Sequence, residues 1–153
     1  MNRFIHIAIE EAKKGIEAGH GGPFGAVIVR DGEIIAQGHN EVIKSNDPTA
    51  HAEMMAIRKA SQKLQNFSLK GCILYVTSEP CPMCFSAIHW AHIDRVVYCN
   101  TKADAAAIGF DDAFISEIIL GRIPDPILFE YEPNNACKAL YQKWYEDPKK
   151  VLY

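Results

Sequence analysis

The chain has 153 residues, 48% hydrophobic and 10% aromatic, the make-up of one globular domain with a real core. Sixteen basic against nineteen acidic residues leave a formal charge of −3; this argues against a polynucleotide binder, and the pairs Lys13-Lys14 and Lys149-Lys150 are most simply solvated surface. No stretch approaches a membrane span, Met1-Asn2-Arg3-Phe4 lacks the apolar run of a secretory leader, and an odd count of five cysteines fits a reducing compartment, so a cytoplasmic protein acting on a small uncharged molecule is expected.

In chain order, Phe4, Ile7, Ala8, Ala12 and Ile16 recur at helical spacing and predict a helix over Asn2 to Gly19, closed by the Gly19-His20-Gly21-Gly22 loop. Phe24 to Val29 reads as a strand, Asp31-Gly32 as a hairpin turn and Glu33 to Gly38 as the returning strand. Asn46-Asp47-Pro48 is a turn, with Thr49 the expected N-cap of a helix whose buried stripe is Ala52, Met55, Ala56, Ile57, Ala60 and Leu64. Cys72 to Thr77 predicts a central strand, Pro82 to His92 a helix and Arg95 to Cys99 another strand. Gly109 to Leu120 mixes loop and helix, Pro124-Asp125-Pro126 breaks it, Asn135 to Tyr145 is a last helix, and Asp147-Pro148 releases a short tail. Strands alternating with helices indicate α/β layering around one sheet, a single domain over 1–153.

Two segments carry chemistry: Thr49-Ala50-His51-Ala52-Glu53 and, about thirty residues on, Pro80-Cys81-Pro82-Met83-Cys84. Together they spell H-x-E followed by P-C-x-x-C. His51, Cys81 and Cys84 are the nitrogen and sulfur donors that zinc prefers, and a catalytic zinc keeps three protein ligands with water in the fourth position. If Cys81 to Cys84 open a helix, its dipole favours the thiolate form. Glu53, two residues beyond His51, points about 200° away from it on a helix and so is free to move protons rather than ligate. H-A-E alone is a common tripeptide, and C-x-x-C alone is equally a redox pair or half of a structural site. A structural zinc would need a fourth protein ligand; Cys72, Cys99 and Cys137 are available, but none forms a second C-x-x-C.

With these motifs in order, the chain resembles the cytidine deaminase-like superfamily of zinc deaminases, which implies a three-layer α/β/α sandwich with a central mixed sheet. Within it the stretches Gly21 to Val29, Ser45 to Glu53, Glu79 to Cys84, Ala87-Ile88-His89-Trp90-Ala91 and Ala107 to Ile115 resemble the bacterial guanine deaminases. That resemblance implies conversion of guanine to xanthine and ammonia, one zinc per chain, and Glu53 as the proton carrier. It implies base contacts by Asn40, Asp112, Phe24, Trp90, the backbone N–H of Ala52, and the terminal Tyr153. Asp111 competes with Asp112 for the carboxylate role, and Glu79 is either a ligand to an amino group or a loop anchor. It also implies a homodimer in which the tail, about 148–153, covers the active site, in some relatives that of the partner subunit. A deaminase of another base or nucleoside, including tRNA adenosine, is the alternative within enzymes. A non-catalytic zinc-stabilised interaction module is the alternative outside them, against which stands the free carboxylate of Glu53.

Overall fold

In a computed structural model, which describes residues 2–153, the chain forms α1 (Arg3–Glu17), β1 (Gly25–Arg30), β2 (Glu33–His39), α2 (Val42–Ser45) and α3 (Ala52–Leu64). There follow β3 (Cys72–Ser78), α4 (Pro82–Trp90), β4 (Arg95–Asn100), α5 (Lys102–Ala107), α6 (Ala113–Ile119) and α7 (Asn135–Glu146). The strands make one mixed sheet in the order β2-β1-β3-β4. β1 runs antiparallel to β2 and β3, while β3 and β4 are parallel and joined through α4.

Alternation along the central strands builds two cores. Val27 and Val29 of β1 and Tyr75 of β3 pack against Ile5 and Ala8 of α1. Ala26, Ile28, Leu74 and Val76 face the other way, onto Ala52, Ala56 and Ala60 of α3 and Ile88 of α4. Each central strand is thus covered on both faces, which is why it reads as a near-continuous apolar run. Two glycines allow close packing: a Cβ on Gly25 would run into the Ala8 carbonyl of α1, and one on Gly38 would lie 2.9 Å from the Ala56 nitrogen of α3.

The expected strands and larger helices are present, and the three layers match the implied sandwich. The helix after the Asn46-Asp47-Pro48 turn begins later than expected. His51, not Thr49, is its N-cap, because Asp47 Oδ1 accepts from both the Thr49 N–H (2.8 Å) and hydroxyl (2.7 Å) in a closed turn of its own. The short helices α2 and α5 carry no apolar periodicity; the latter is fixed by a capping box between Thr101 and Asp104. The tail expected over about 148–153 is the end of a much longer exposed arm: within the chain every residue from Ile119 to Lys149 is exposed.

Candidate active site

The three sheet ends where β1 starts and β2 and β3 finish meet the N-termini of α3 and α4, and here the two motifs come together. His51 is the N-cap of α3 and Cys81 the N-cap of α4, both in extended backbone. Pro82 at the first turn of α4 lacks an N–H that would go unpaired there, and Cys81 Sγ accepts from the Cys84 N–H at 3.4 Å. His51 Nδ1 lies 3.5 Å from Cys81 Sγ and 3.6 Å from Cys84 Sγ.

Those spacings fit zinc. With Zn–N near 2.05 Å and Zn–S near 2.3 Å at a tetrahedral angle, nitrogen and sulfur should be separated by about 3.6 Å. The three donor atoms all lie within 4.8 Å of one another, and none of Cys72, Cys99 or Cys137 joins them, so the set has the three-ligand form that leaves a coordination position open. The electrostatics agree. Hydrogen bonding from the Cys84 thiol, and then from His51, outweighs burial and brings Cys81 down to about 4. Cys84 is pushed up by its hydrogen bond to Cys81 and by burial, while His51 is raised chiefly by its hydrogen bond to Cys81. The pair thus holds one shared proton that a dication would displace.

Glu53 follows on the first turn of α3 and is only 6% exposed. Burial pushes its carboxyl above the ordinary range. It lines a cavity of about 500 Å³ together with His51 and Cys81, within the size range of small-molecule sites. The cavity walls include Phe24, Asn40, Glu79, Asp111 and Asp112. Asn40, 5% exposed, accepts with Oδ1 from the Val42 N–H at 3.1 Å, leaving its amide N–H groups as the donors not engaged by that bond. The two aspartates divide their work: Asp111 Oδ1 takes the Ala113 N–H at 3.0 Å at the start of α6, whereas Asp112 makes no capping bond. Burial raises Asp112. Glu79 Oε2 accepts from the Lys102 N–H at 3.1 Å, anchoring the start of α5 while it borders the cavity.

Ala52 is fully buried and its side chain is not part of the cavity wall; its N–H sits in the first turn of α3, where the helix supplies no acceptor. Trp90 and Tyr153 are not in this chain's cavity at all. Trp90 ends α4, 64% exposed, with its ring 6.1 Å from that of Tyr153. The two line a separate apolar groove with Trp144 and Leu152. Sequence reasoning missed Phe110 as a wall residue: its ring stands edge-on to Phe24, centroids 4.9 Å apart, and Phe114 and Ile115 border the same cavity. The signal was a pair of aromatics four apart in a stretch too short to bury them against a core.

The model of the cytidine and deoxycytidylate deaminase zinc-binding region matches residues 1–100. Among known proteins, the chain is 57% identical to guanine deaminase of Bacillus subtilis over 112 residues, 73% of this chain and 72% of that protein. The crystal structure of Bacillus subtilis guanine deaminase superposes with a TM-score of 0.94 at 47% identity, covering 100% of this chain and 99% of that one. A tRNA-specific adenosine deaminase of Aquifex aeolicus is 48% identical over 95 residues, 62% of each chain.

Proposed function

The chain belongs to the cytidine and deoxycytidylate deaminase zinc-binding family, and we propose that within it the protein hydrolyses guanine to xanthine and ammonia, using one zinc held by His51, Cys81 and Cys84. The observation that carries this is a nitrogen–sulfur–sulfur donor set beside a buried carboxylate, Glu53, in a cavity roomy enough for a purine base. Zinc, when bound, supplies Lewis acidity that makes water a competent nucleophile near neutral pH.

The chain's residues do the rest. Glu53 accepts a proton from water as its oxygen bonds to C2 of guanine, then passes it to the adjacent ring nitrogen. Glu53 then takes the remaining proton of the new C2 hydroxyl and delivers it to the exocyclic nitrogen; as the C2=O bond of xanthine forms, the C2–N bond breaks and ammonia leaves. Burial makes the ionised carboxylate costly, which favours Glu53 as a carrier of the proton in transit. Asn40 donates to acceptor atoms of the base, Asp112 accepts from ring N–H groups, the Ala52 N–H supplies a fixed donor, and Phe24 holds the ring plane together with Phe110. A site built from such paired groups rejects bases that leave them unmatched.

The working unit in this reading is a cytoplasmic homodimer with exchanged C-terminal arms. Leu128, Phe129 and Tyr131 are 79% or more exposed, and α7 exposes Leu140 and Tyr141. A helix of 12 residues has little stability without a packed face, so this surface needs a cover. Exchange would bring Tyr153, at the end of the arm, to the cavity of the partner subunit, whereas Trp90, at the end of α4, stays with its own chain. Incubating zinc-loaded protein with guanine, adenine, cytosine and their nucleosides and measuring ammonia tests the reading. Release from guanine above all others is expected; tight, salt-sensitive tRNA binding without guanine turnover would transfer the assignment to tRNA adenosine.

A further inference from the structure

On the face of the sheet away from Glu53, the end of β2 carries a second set of metal-capable side chains. Gly38 and Asn40 face α3 and the cavity; His39, between them, faces α1 and packs on Gly15, where a Cβ would lie 2.7 Å from its ring. His39 Nδ1 is 3.3 Å from Glu11 Oε2, which fixes the ring and leaves Nε2 as the outward donor atom. His39 Nε2 is 2.8 Å from His20 Nδ1 and 3.7 Å from Glu41 Oε1. The ligand atoms of His20, His39 and Glu41 lie within 4.8 Å of one another.

We propose that His20, His39 and Glu41 bind a second divalent transition-metal ion, of the zinc, cobalt or nickel class, behind the residue that reads the base. Two imidazoles and one carboxylate are a donor set for such borderline ions, whereas magnesium and calcium favour oxygen. Glu11 completes the pattern of a carboxylate holding the far nitrogen of a ligating histidine.

The scaffold is set before any ion arrives. The His20 carbonyl accepts from Ile43 and Lys44 N–H groups, both at 3.0 Å, and the Glu41 N–H is held by the Ala50 carbonyl at 2.9 Å. A simple imidazole-to-imidazole hydrogen bond accounts for His20 and His39 but leaves Glu41 beyond hydrogen-bond reach of the pair. With ligand bonds near 2.1 Å, donors should be about 3.4 Å apart, so the two nitrogens must open by roughly half an ångström. Glu41 already stands near the required distance. Lys44, 3.5 Å from Glu41 with a half-exposed side chain, is free to swing away, and water completes the coordination. The ion would brace the strand end on either side of Asn40.

The test uses the full-length protein titrated with cobalt(II), following metal per chain by native mass spectrometry. Wild type should take up two ions. The first should show the intense thiolate-to-metal absorption of the Cys81–Cys84 centre, and the second only weak ligand-field bands. His20→Asn and Glu41→Gln should each retain the thiolate-bound ion, which reports an intact fold, and lose the second. Imidazole NMR signals of His20 and His39 should shift in wild type as the second ion enters. A single ion per wild-type chain at saturation overturns the proposal. So does a second ion that persists in Glu41→Gln with the His20 and His39 signals unmoved. If His20→Asn does not fold, Glu41→Gln, which keeps size and shape, decides.

Discussion

Glu53→Gln separates proton transfer from everything else the site does. Glutamine keeps the shape and the first-turn position of a residue that is 6% exposed, and it removes only the capacity to take up and release a proton. General acid–base transfer is worth about 10²–10⁴-fold, or ~2.7–5.4 kcal/mol of barrier. The structure places the effect in the upper half of that range, because no neighbour can substitute. Glu79 is tied to the Lys102 N–H and Asp111 to the Ala113 N–H, and Asp112, the remaining carboxylate in the wall, is engaged by the ring N–H groups of the base in the proposed function. We expect kcat for guanine to fall about 10³-fold or more, with KM changed little and zinc content unchanged. Stability should move the other way. Burial raises Glu53 from an ordinary value of 4.5, so in the metal-free protein its contribution is fully present below that value and is lost as pH rises through the folded pKa. At neutral pH the carboxylate is therefore a liability that glutamine lacks. The metal-free variant should melt no lower than wild type at pH 7, with any advantage vanishing toward pH 4. Steady-state kinetics and calorimetry read both. A variant with near-normal kcat would refute the proton-carrier role, and a marked fall in metal-free melting temperature would refute the burial argument.

Asp112→Asn should lower kcat/KM for guanine at least about tenfold, ~1.4 kcal/mol, while Asp111→Asn mainly loosens the start of α6; equal kinetic loss in both would contradict the division between them. Zinc uptake should release protons, since the Cys81–Cys84 pair keeps one and His51 is raised, so apparent affinity should weaken about tenfold or more for each unit of falling pH near neutrality. Competition with a chelator across pH measures this, and a flat profile would count against the three-ligand set. Deleting Val151 to Tyr153 should leave zinc content intact and cut guanine turnover about tenfold or more. Mixing that chain with Glu53→Ala should restore one site per mixed dimer if arms cross; no rescue in verified mixed dimers would remove the exchange.

The metal centre was legible because its ligands sit in two short motifs whose local structure the sequence also dictates. Pro82 after Cys81 forces a helix start, and the Asn46-Asp47-Pro48 turn forces another near His51. The sheet was legible for a similar reason: Ala26 to Val29 and Cys72 to Val76, the middles of two strands covered on both faces, read as short apolar runs. The base-facing wall was less so. Phe110 is placed by the path of the α5–α6 loop, and its pairing with Phe24 joins residues far apart in sequence with no periodicity to announce it. Trp90 and Tyr153 show a different limit. The resemblance implied base contacts for both, yet in the chain they meet each other in a groove apart from the cavity, a placement that no local pattern in the sequence announces.

The placement of His51 and Cys81 at the heads of α3 and α4 has a mechanical side. An ion joining them is a cross-link between two helices separated by β3, closing a loop of on the order of 30 residues. By the chain-entropy relation used for disulfides, such a closure restricts the unfolded chain by about 3–4 kcal/mol. In a molecule whose total stability is of order 5–15 kcal/mol, that is a large share for a group whose evident purpose is reactivity. The active site is thus also a clasp, and the protein should grow more resistant to unfolding as it becomes competent to react.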